Sequence, residues 1–212
     1  MFRKQYFFTF ASAALLVALF FIPALAQSSE VPKVEVGAQF SLIRLFEETP
    51  IFPPADGPVT NYRRSYKTNV GFGGRAVYNV TKQVALEGEI NYFPQDDNRV
   101  TVNAVQGLFG VKAGWRGDKV GVFGKARPGF FHYEEPIVCI TTPCNNPTFT
   151  KFALDLGGVL EFYPSRSLVT RFDLGDVMIR QQRITGSFAA PLATKDVFHH
   201  NLQFSAGVGF RF

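Results

Sequence analysis

The sequence has few of the residues that bind metals and lacks the long apolar runs that helical membrane proteins require. It contains two cysteines, three histidines and one tryptophan among 212 residues. Hydrophobic residues make up 46% of the chain. Yet after Ile22 no apolar run reaches the length of about 20 residues that a membrane-spanning helix needs. The sequence therefore disfavours a helical membrane protein, and it offers few ligands for a metal centre.

The N-terminal segment has the plan of a secretory signal peptide. Arg3 and Lys4 form a positive head, an apolar stretch runs from Tyr6 to Ile22, and Ala24-Leu25-Ala26 supplies a cleavage site. A retained transmembrane helix is the alternative, because the apolar stretch is nearly long enough to span a bilayer. The cleavage site and the polar residues that follow it favour removal. We therefore predict a signal peptide at residues 1–26.

The mature chain, residues 27–212, has the length of one domain and carries little net charge. The whole sequence has 22 basic and 17 acidic residues, and the loss of Arg3 and Lys4 leaves 20 basic against 17 acidic ones. This excess is too small and too evenly spread to indicate nucleic-acid binding. Aromatic residues are abundant at 15%, with 24 phenylalanines, which suits strands that face lipid.

Apolar and polar residues alternate along the mature chain. In the last segment the even-numbered residues from Leu202 to Phe212 are apolar, whereas Gln203, Ser205 and Arg211 lie between them. Because side chains alternate across a strand, this segment predicts a strand with one apolar and one polar face. Seven similar segments precede it, beginning near Val34, Val70, Val84, Val100, Val120, Phe152 and Leu168.

The connections between these eight segments alternate in length. Short turns are predicted at residues 79–83, 115–119 and 164–167. Longer loops are predicted at residues 47–65, 94–99, 134–148 and 178–196. Prolines 50 and 94 support two of these loops, since proline interrupts a regular ladder. Short turns on one side, longer loops on the other and an even strand count are typical of transmembrane barrels.

The chain ends on Phe210-Arg211-Phe212, which resembles the C-terminal signature of bacterial outer-membrane β-barrel proteins. With the signal peptide and the eight strands, it is similar to the small outer-membrane β-barrel family typified by the membrane domain of outer membrane protein A. The resemblance implies an all-β fold, an eight-stranded antiparallel up-and-down transmembrane barrel in the cell outer membrane. It also implies that Phe210 and Phe212 form the signal read by the barrel assembly machinery. The expected surroundings are the lipid bilayer and lipopolysaccharide, and the expected state is a monomer.

The polar faces of the predicted strands carry charges of both signs. The interior of an eight-stranded barrel is only just wide enough for side chains to fill it, and an isolated charge there would cost several kcal/mol. We therefore expect these residues to form ion pairs that fill the lumen; a gated small-ion pore, in which the pairs switch, is the alternative. The residues are Glu35, Arg75, Glu87, Glu89, Lys112, Lys125, Arg127, Lys151, Asp155, Glu161, Arg171, Asp173 and Arg211.

Cys139 and Cys144 lie beside prolines in the third predicted long loop. Two nearby cysteines in an exported protein indicate a disulfide that staples the loop. A metal pair is the alternative, but no histidine or third cysteine is close in sequence.

The histidines do not form a recognisable catalytic site. His199 and His200 are neighbours on a predicted strand and so point to opposite faces, and His132 ends another strand near the same rim. Ser205 would lie roughly 16 to 20 Å from them along the strand, too far for a histidine to activate it. We therefore expect no enzymatic activity, no cofactor and no metal.

The sequence thus predicts a non-enzymatic barrel with a structural or surface-interaction role exerted through extracellular loops. Arg63, Arg64 and Lys67 near the first long loop are either contacts for lipopolysaccharide phosphates or solvated charges. A narrow pore or small-molecule transport barrel is the main alternative. A lipid-modifying enzyme and a soluble periplasmic ligand-binding barrel, with its phenylalanines turned inward, are the others.

Overall fold

A computed structural model describes residues 31–51, 61–97, 100–134, 148–185 and 193–212. The predicted signal peptide and both cysteines lie outside these residues. Each strand pairs antiparallel with the next, and the last pairs with the first, so the sheet closes into a barrel. The predicted eight-stranded up-and-down barrel is confirmed. The strands are β1 (Val34–Ile51), β2 (Asn61–Asn79), β3 (Val84–Asp97), β4 (Val100–Arg116), β5 (Val120–Glu134), β6 (Thr148–Phe162), β7 (Leu168–Thr185) and β8 (Ala193–Arg211).

The wall of the barrel has its apolar face outside and its polar face inside. Outward side chains such as Phe72 and Phe109 are 60% and 62% exposed, whereas the inward side chains of Arg127 and Asp155 are fully buried. This arrangement follows directly from the alternation along each strand. It is the reverse of a water-soluble barrel and suits a wall surrounded by lipid. In the described ranges no helix is long and apolar enough to cross a membrane.

The barrel is closed over only part of its height. β1 and β8 pair from Glu35–Arg211 to Arg44–Leu202. Beyond Arg44, β1 continues only against β2, and β8 beyond Leu202 only against β7. Pairing between β2 and β3 likewise stops before these strands end. At one end β1–β2, β3–β4 and β7–β8 therefore continue as two-stranded ribbons, whereas β5 stays paired with β4 up to Tyr133 and with β6 up to Glu134. We call this end the ribbon end; the opposite end, with the short connections, is the turn end.

The predicted loops at residues 47–65, 94–99 and 178–196 are wrong in extent, because much of each is ribbon. β1 and β2 remain paired up to Ile51 and Asn61, β3 runs to Asp97, and β7 and β8 reach Thr185 and Ala193. A ribbon beyond the membrane has no lipid-facing side, so its sequence lacks the apolar alternation that identifies the strands below. Residues 135–147, the bulk of the other predicted loop, are outside the described residues.

The prolines in two of these predicted loops lie within strands. Pro50 of β1 pairs with Tyr62, and Pro94 of β3 pairs with Asn103. Both lie where their strand has a partner on one side only, and an edge strand tolerates proline because its missing N–H can face solvent. Proline alone therefore did not mark the end of a strand in this protein.

Candidate functional site: the barrel interior and its outer rim

The interior holds nearly all the charged residues predicted to face it. The exception is Lys151, which is half-buried near the ribbon end, with Nζ 5.3 Å from the centroid of the Phe149 ring. Arg116, which the sequence placed in a turn, ends β4 and is also buried. Six acidic and seven basic side chains therefore share the interior: Glu35, Glu87, Glu89, Asp155, Glu161, Asp173, Arg75, Lys112, Arg116, Lys125, Arg127, Arg171 and Arg211.

Glu87 on β3 lies at the centre of these charges. Arg171 on β7 donates to its two carboxylate oxygens at 2.6 and 3.0 Å. Arg127 on β5 donates through Nη1 to one of the same oxygens at 3.1 Å. All three side chains are within 1% of complete burial. One carboxylate thus connects three strands across the interior.

The two arginines extend this network to further acids. Arg127 donates through Nε to Asp155 at 2.8 Å and through Nη1 to Glu89 at 2.5 Å. Arg171 donates through Nε to Asp173 of its own strand at 2.7 Å. These charge-assisted bonds from a planar guanidinium are the strong kind of protein hydrogen bond. We call these six residues, with Arg75 and Lys125, the charged cluster.

Lys125 and Arg75 complete the charged cluster. The Nζ of Lys125 lies 2.9 Å from Asp155 and 3.3 Å from Asp173. Arg75 lies 3.7 Å from Asp173 and also donates to Gln39 at 3.2 Å. Every acid of the charged cluster therefore contacts at least one base, as burial of charge requires.

A second group of charges lies nearer the turn end. Glu161 forms an ion pair with Lys112, and its other oxygen lies 3.5 Å from Arg116. Glu35 lies 3.5 Å from Arg116 and 3.3 Å from Arg211. Three basic side chains thus share two carboxylates in this group.

Aromatic rings surround this turn-end group. The guanidinium of Arg211 lies 4.3 Å from the centroid of Tyr163, whose hydroxyl donates to Glu161 at 2.7 Å. Phe123, the one large apolar residue on an otherwise polar face of β5 near this end, lies 4.9 Å from Lys112 and 5.3 Å from Arg116. Aromatic faces attract cations, most strongly where water is excluded, so these rings help to accommodate the excess of positive charge.

A layer of uncharged polar side chains lies on the ribbon side of the charged cluster. Asn91 accepts from Gln39 at 2.8 Å and donates to Gln106 at 2.9 Å. Gln106 in turn donates to Gln203 at 2.9 Å, while the Ser41 and Ser205 hydroxyls bond to each other at 2.8 Å. This amide layer links β1, β3, β4 and β8 without any net charge.

Above the amide layer the interior becomes apolar. The rings of Phe93 and Phe131 lie with their centroids 6.2 Å apart and are at most 3% exposed. We call the buried cluster around them the apolar plug. Its members are Ile43, Phe93, Ala104, Leu108, Phe131, Ala153, Val177 and Ile179, with Leu45 and Tyr133 packed against it.

Sequence reasoning missed the apolar plug and Arg116. The signal was present, because Val177 and Ile179 continue the inward positions of Arg171 and Asp173 on β7. Residues 178–196 and 94–99 were assigned to loops. The inward positions of β7 and β3 were therefore not traced as far as the ribbon end, where the apolar plug lies. Arg116 likewise continues the inward alternation of Lys112 on β4.

The histidines occupy three separate places. His199 is buried near the ribbon end, 3.6 Å from Glu48 and edge-on to Phe46, whereas His200 faces outward with Nδ1 2.5 Å from Asp176. His132 bonds to Thr150 at 2.8 Å. The described residues contain no group of three or more potential ligands placed to hold a metal ion.

Phe210 and Phe212 project from the outer wall at the turn end. Their side chains are 61% and 74% exposed, and the backbone N–H of Phe212 donates to Val34 at 2.8 Å. In a membrane both rings would contact lipid at the interface.

Similarity to known proteins agrees with this geometry. The model of the family described as "Outer membrane protein beta-barrel domain" matches residues 12–212. No curated protein sequence matches the chain significantly. Several solved structures share the fold at low identity. Ail of Yersinia pestis is 13% identical with a TM-score of 0.51, covering 86% of this chain and 99% of its own.

Two further structures share the fold. Neisserial surface protein A is 10% identical with a TM-score of 0.54, over 84% of this chain and 97% of its own. OprG from Pseudomonas aeruginosa is 8% identical with a TM-score of 0.53, over 86% of this chain and 96% of its own. The chain therefore belongs to the outer membrane protein β-barrel domain family and is located in the outer membrane of a Gram-negative bacterium.

Proposed function

We propose that this protein is a non-conducting and non-enzymatic barrel whose role lies in what it presents at the cell surface. The observation that carries this proposal is the layering of the interior. The charged cluster, the amide layer and the apolar plug follow one another along the barrel axis and join opposite strands at each level. An interior filled in this way leaves the outer surface and the ribbons as the parts available for interaction.

The arrangement of hydroxyls and histidines supports a role without catalysis. Ser205 is 2% exposed and bonded to Ser41 inside the barrel, so it does not meet a histidine. His200 and Asp176 form a pair that could orient a base, but the pocket beside them has no serine, threonine or cysteine in its lining. Acyl transfer requires a nucleophile within hydrogen-bond reach of a base that a third group orients. His132 does bond to the Thr150 hydroxyl at 2.8 Å, but among the described residues no carboxylate forms an ion pair with His132 to orient it.

We expect the purified barrel to show no conductance steps when it is inserted in a planar lipid bilayer. The physical reason is that a permeating ion would have to displace paired charges and then cross the apolar plug, where no polar group replaces its hydration shell. A porin recorded in the same bilayer serves as the positive control for insertion and detection. Reproducible unitary steps from the wild-type protein would contradict the closed interior and support a narrow pore.

We expect the ribbons to be exposed outside the cell and the short turns to face the periplasm. An epitope tag within residues 186–192, between β7 and β8, should be labelled by antibody on intact cells. The matched control is the same tag after Ser165, in the turn between β6 and β7, which should be labelled only after the outer membrane is permeabilised. Labelling in the reverse order would overturn the surface role.

A further inference from the structure

The excess of positive charge in the interior is located in the turn-end group. The charged cluster is balanced, because its four acidic side chains face four basic ones. The turn-end group instead sets Lys112, Arg116 and Arg211 against only two carboxylates, Glu35 and Glu161. Among the described residues the interior therefore carries one net positive charge, and that charge lies at the turn end.

The chain around this end of the barrel is also basic. Lys33 precedes β1, Lys82 follows β2, and the next two short turns contain Lys119 and Arg166. Asp118 is the one acidic residue in these three described turns. An opening surrounded by charge of one sign raises the local concentration of counter-ions. Anions are therefore enriched where the turn-end group meets the solvent.

Arg116 and Arg211 approach the same carboxylate and the same ring. Their guanidinium nitrogens lie 3.5 and 3.3 Å from one oxygen of Glu35. Their central carbons lie 5.6 and 4.3 Å from the centroid of the Tyr163 ring. Both side chains are at least nine-tenths buried. Two cations are thus held side by side at the turn end of the interior.

Several donors of these two guanidiniums are buried without an acceptor. In the part of the chain that the structure describes, the Nε and Nη1 of Arg116 and the Nε of Arg211 make no hydrogen bond. Glu35 and Glu161 are the only described carboxylates within 4 Å of either side chain, and the near oxygen of Glu35 already accepts from Asn79 at 2.9 Å. Because a buried donor without an acceptor costs free energy, a further acceptor would stabilise this site.

We propose that the turn-end group binds one small monovalent anion between Arg116 and Arg211. The unused N–H groups of the two guanidiniums donate charge-assisted hydrogen bonds to this anion. Its single negative charge balances the net charge of the interior. Chloride and a small carboxylate share this chemistry. The site lies at the opposite end from the ribbons, so it goes beyond the proposed function and does not depend on what the ribbons bind.

Nitrogen-15 NMR of the refolded protein in neutral detergent micelles tests this proposal, because the Nε–H of a buried arginine is protected from exchange with water. Chloride is titrated against a bulky sulfonate at constant ionic strength, which keeps screening fixed, and acetate is the second probe. We expect saturable shifts of the Arg116 and Arg211 Nε signals. The Nε–H groups of Arg127 and Arg171 already donate to carboxylates at 2.8 and 2.7 Å, so they serve as controls in the same molecule and should not shift.

Three variants separate anion binding from a purely structural role of the arginines. Arg211→Gln should weaken chloride binding, followed on the Arg116 signal, about tenfold, the effect of one charge-assisted hydrogen bond. Glu35→Gln should strengthen binding by a similar factor, because it removes the carboxylate that competes for both guanidiniums. Arg180→Gln, which breaks an exposed ion pair with Asp196, should bind like the wild type. Mobility shifts on boiling verify that each variant is folded.

The absence of a saturable shift with both probes would overturn the proposal and show that water satisfies these donors. Equal shifts of Arg127 and Arg171 would also overturn it, since they would reveal a general salt effect. Unchanged affinity in Arg211→Gln would have the same consequence. Saturation by chloride alone would support a halide site, and tighter saturation by acetate would support a carboxylate site.

Discussion

Replacing Glu87 with glutamine is expected to lower the free energy of unfolding of the barrel by about 3–5 kcal/mol, the usual result of removing one partner from a buried ion pair. Glu87 accepts three hydrogen bonds from Arg171 and Arg127 in a fully buried position. Glutamine preserves the shape of the side chain but not its charge. The interior already holds seven basic against six acidic side chains, so the substitution increases an existing imbalance.

Urea unfolding of the protein in lipid vesicles measures this change. The chain has a single tryptophan, Trp115, which is 62% exposed on the outer wall, so its emission reports the loss of lipid contact on unfolding. The matched control is Asp196→Asn, which removes an exposed ion pair with Arg180. The hydrogen bond from Arg180 lowers the pKa of the Asp196 carboxyl, but exposed pairs contribute little, and no measurable change is expected.

The double variant Glu87→Gln with Arg171→Gln provides a further check. Because the two side chains share one interaction, the double variant should be less destabilised than the sum of the two single variants. Wild-type stability in Glu87→Gln would show that water reaches the charged cluster and replaces the lost carboxylate.

Truncating Phe93 to alanine is expected to cost about 3–5 kcal/mol, because it opens a cavity in the apolar plug. The ring is fully buried and occupies space left by Gly71, where an added Cβ would lie only 2.4 Å from a ring carbon. Phe93 lies one residue beyond Tyr92, the last β3 residue paired with β2, so the closed ladder just below it limits how far the walls can collapse into the cavity. The same urea titration in vesicles measures the loss.

Phe109→Ala is the control for this prediction. Phe109 is 62% exposed on the outer wall, so its truncation removes lipid contact without creating an internal cavity, and a smaller change is expected. Phe93→Ala should also remain non-conducting, because the charged cluster below the plug is intact. Equal stability losses in the two variants would indicate that the plug is loosely packed.

The sequence predicted the barrel because two independent patterns agreed. The alternation along each strand identified which residues face inward, and the short turns separated neighbouring strands. Glu35 and Arg211, on the first and last strands, could both be placed in the interior on this basis alone. Which charged residues pair with each other could not be predicted, because Glu87 meets Arg171 only through the register and curvature of the closed sheet.

The ribbons were not predicted because the physical cause of the alternation ends at the membrane surface. From Glu47 to Ile51 of β1, apolar and polar residues no longer alternate. The sequence there resembles a loop, and Pro50 strengthens that impression. Hydrogen bonding between two neighbouring segments does not produce a comparable pattern in the sequence of either segment.

The separation in sequence between interior partners constrains the kinetics of folding. Glu87 and Arg171 are 84 residues apart, and Ser41 and Ser205 are 164 apart. Such distant contacts form only after loop-closure entropy has been lost, so they stabilise the chain only late in folding. Until β8 joins β1, the inward face of the sheet stays hydrated and its charges are solvated separately. Closure then dehydrates the whole interior at once, so folding culminates in one cooperative step, and the same barrier opposes reopening of the finished barrel.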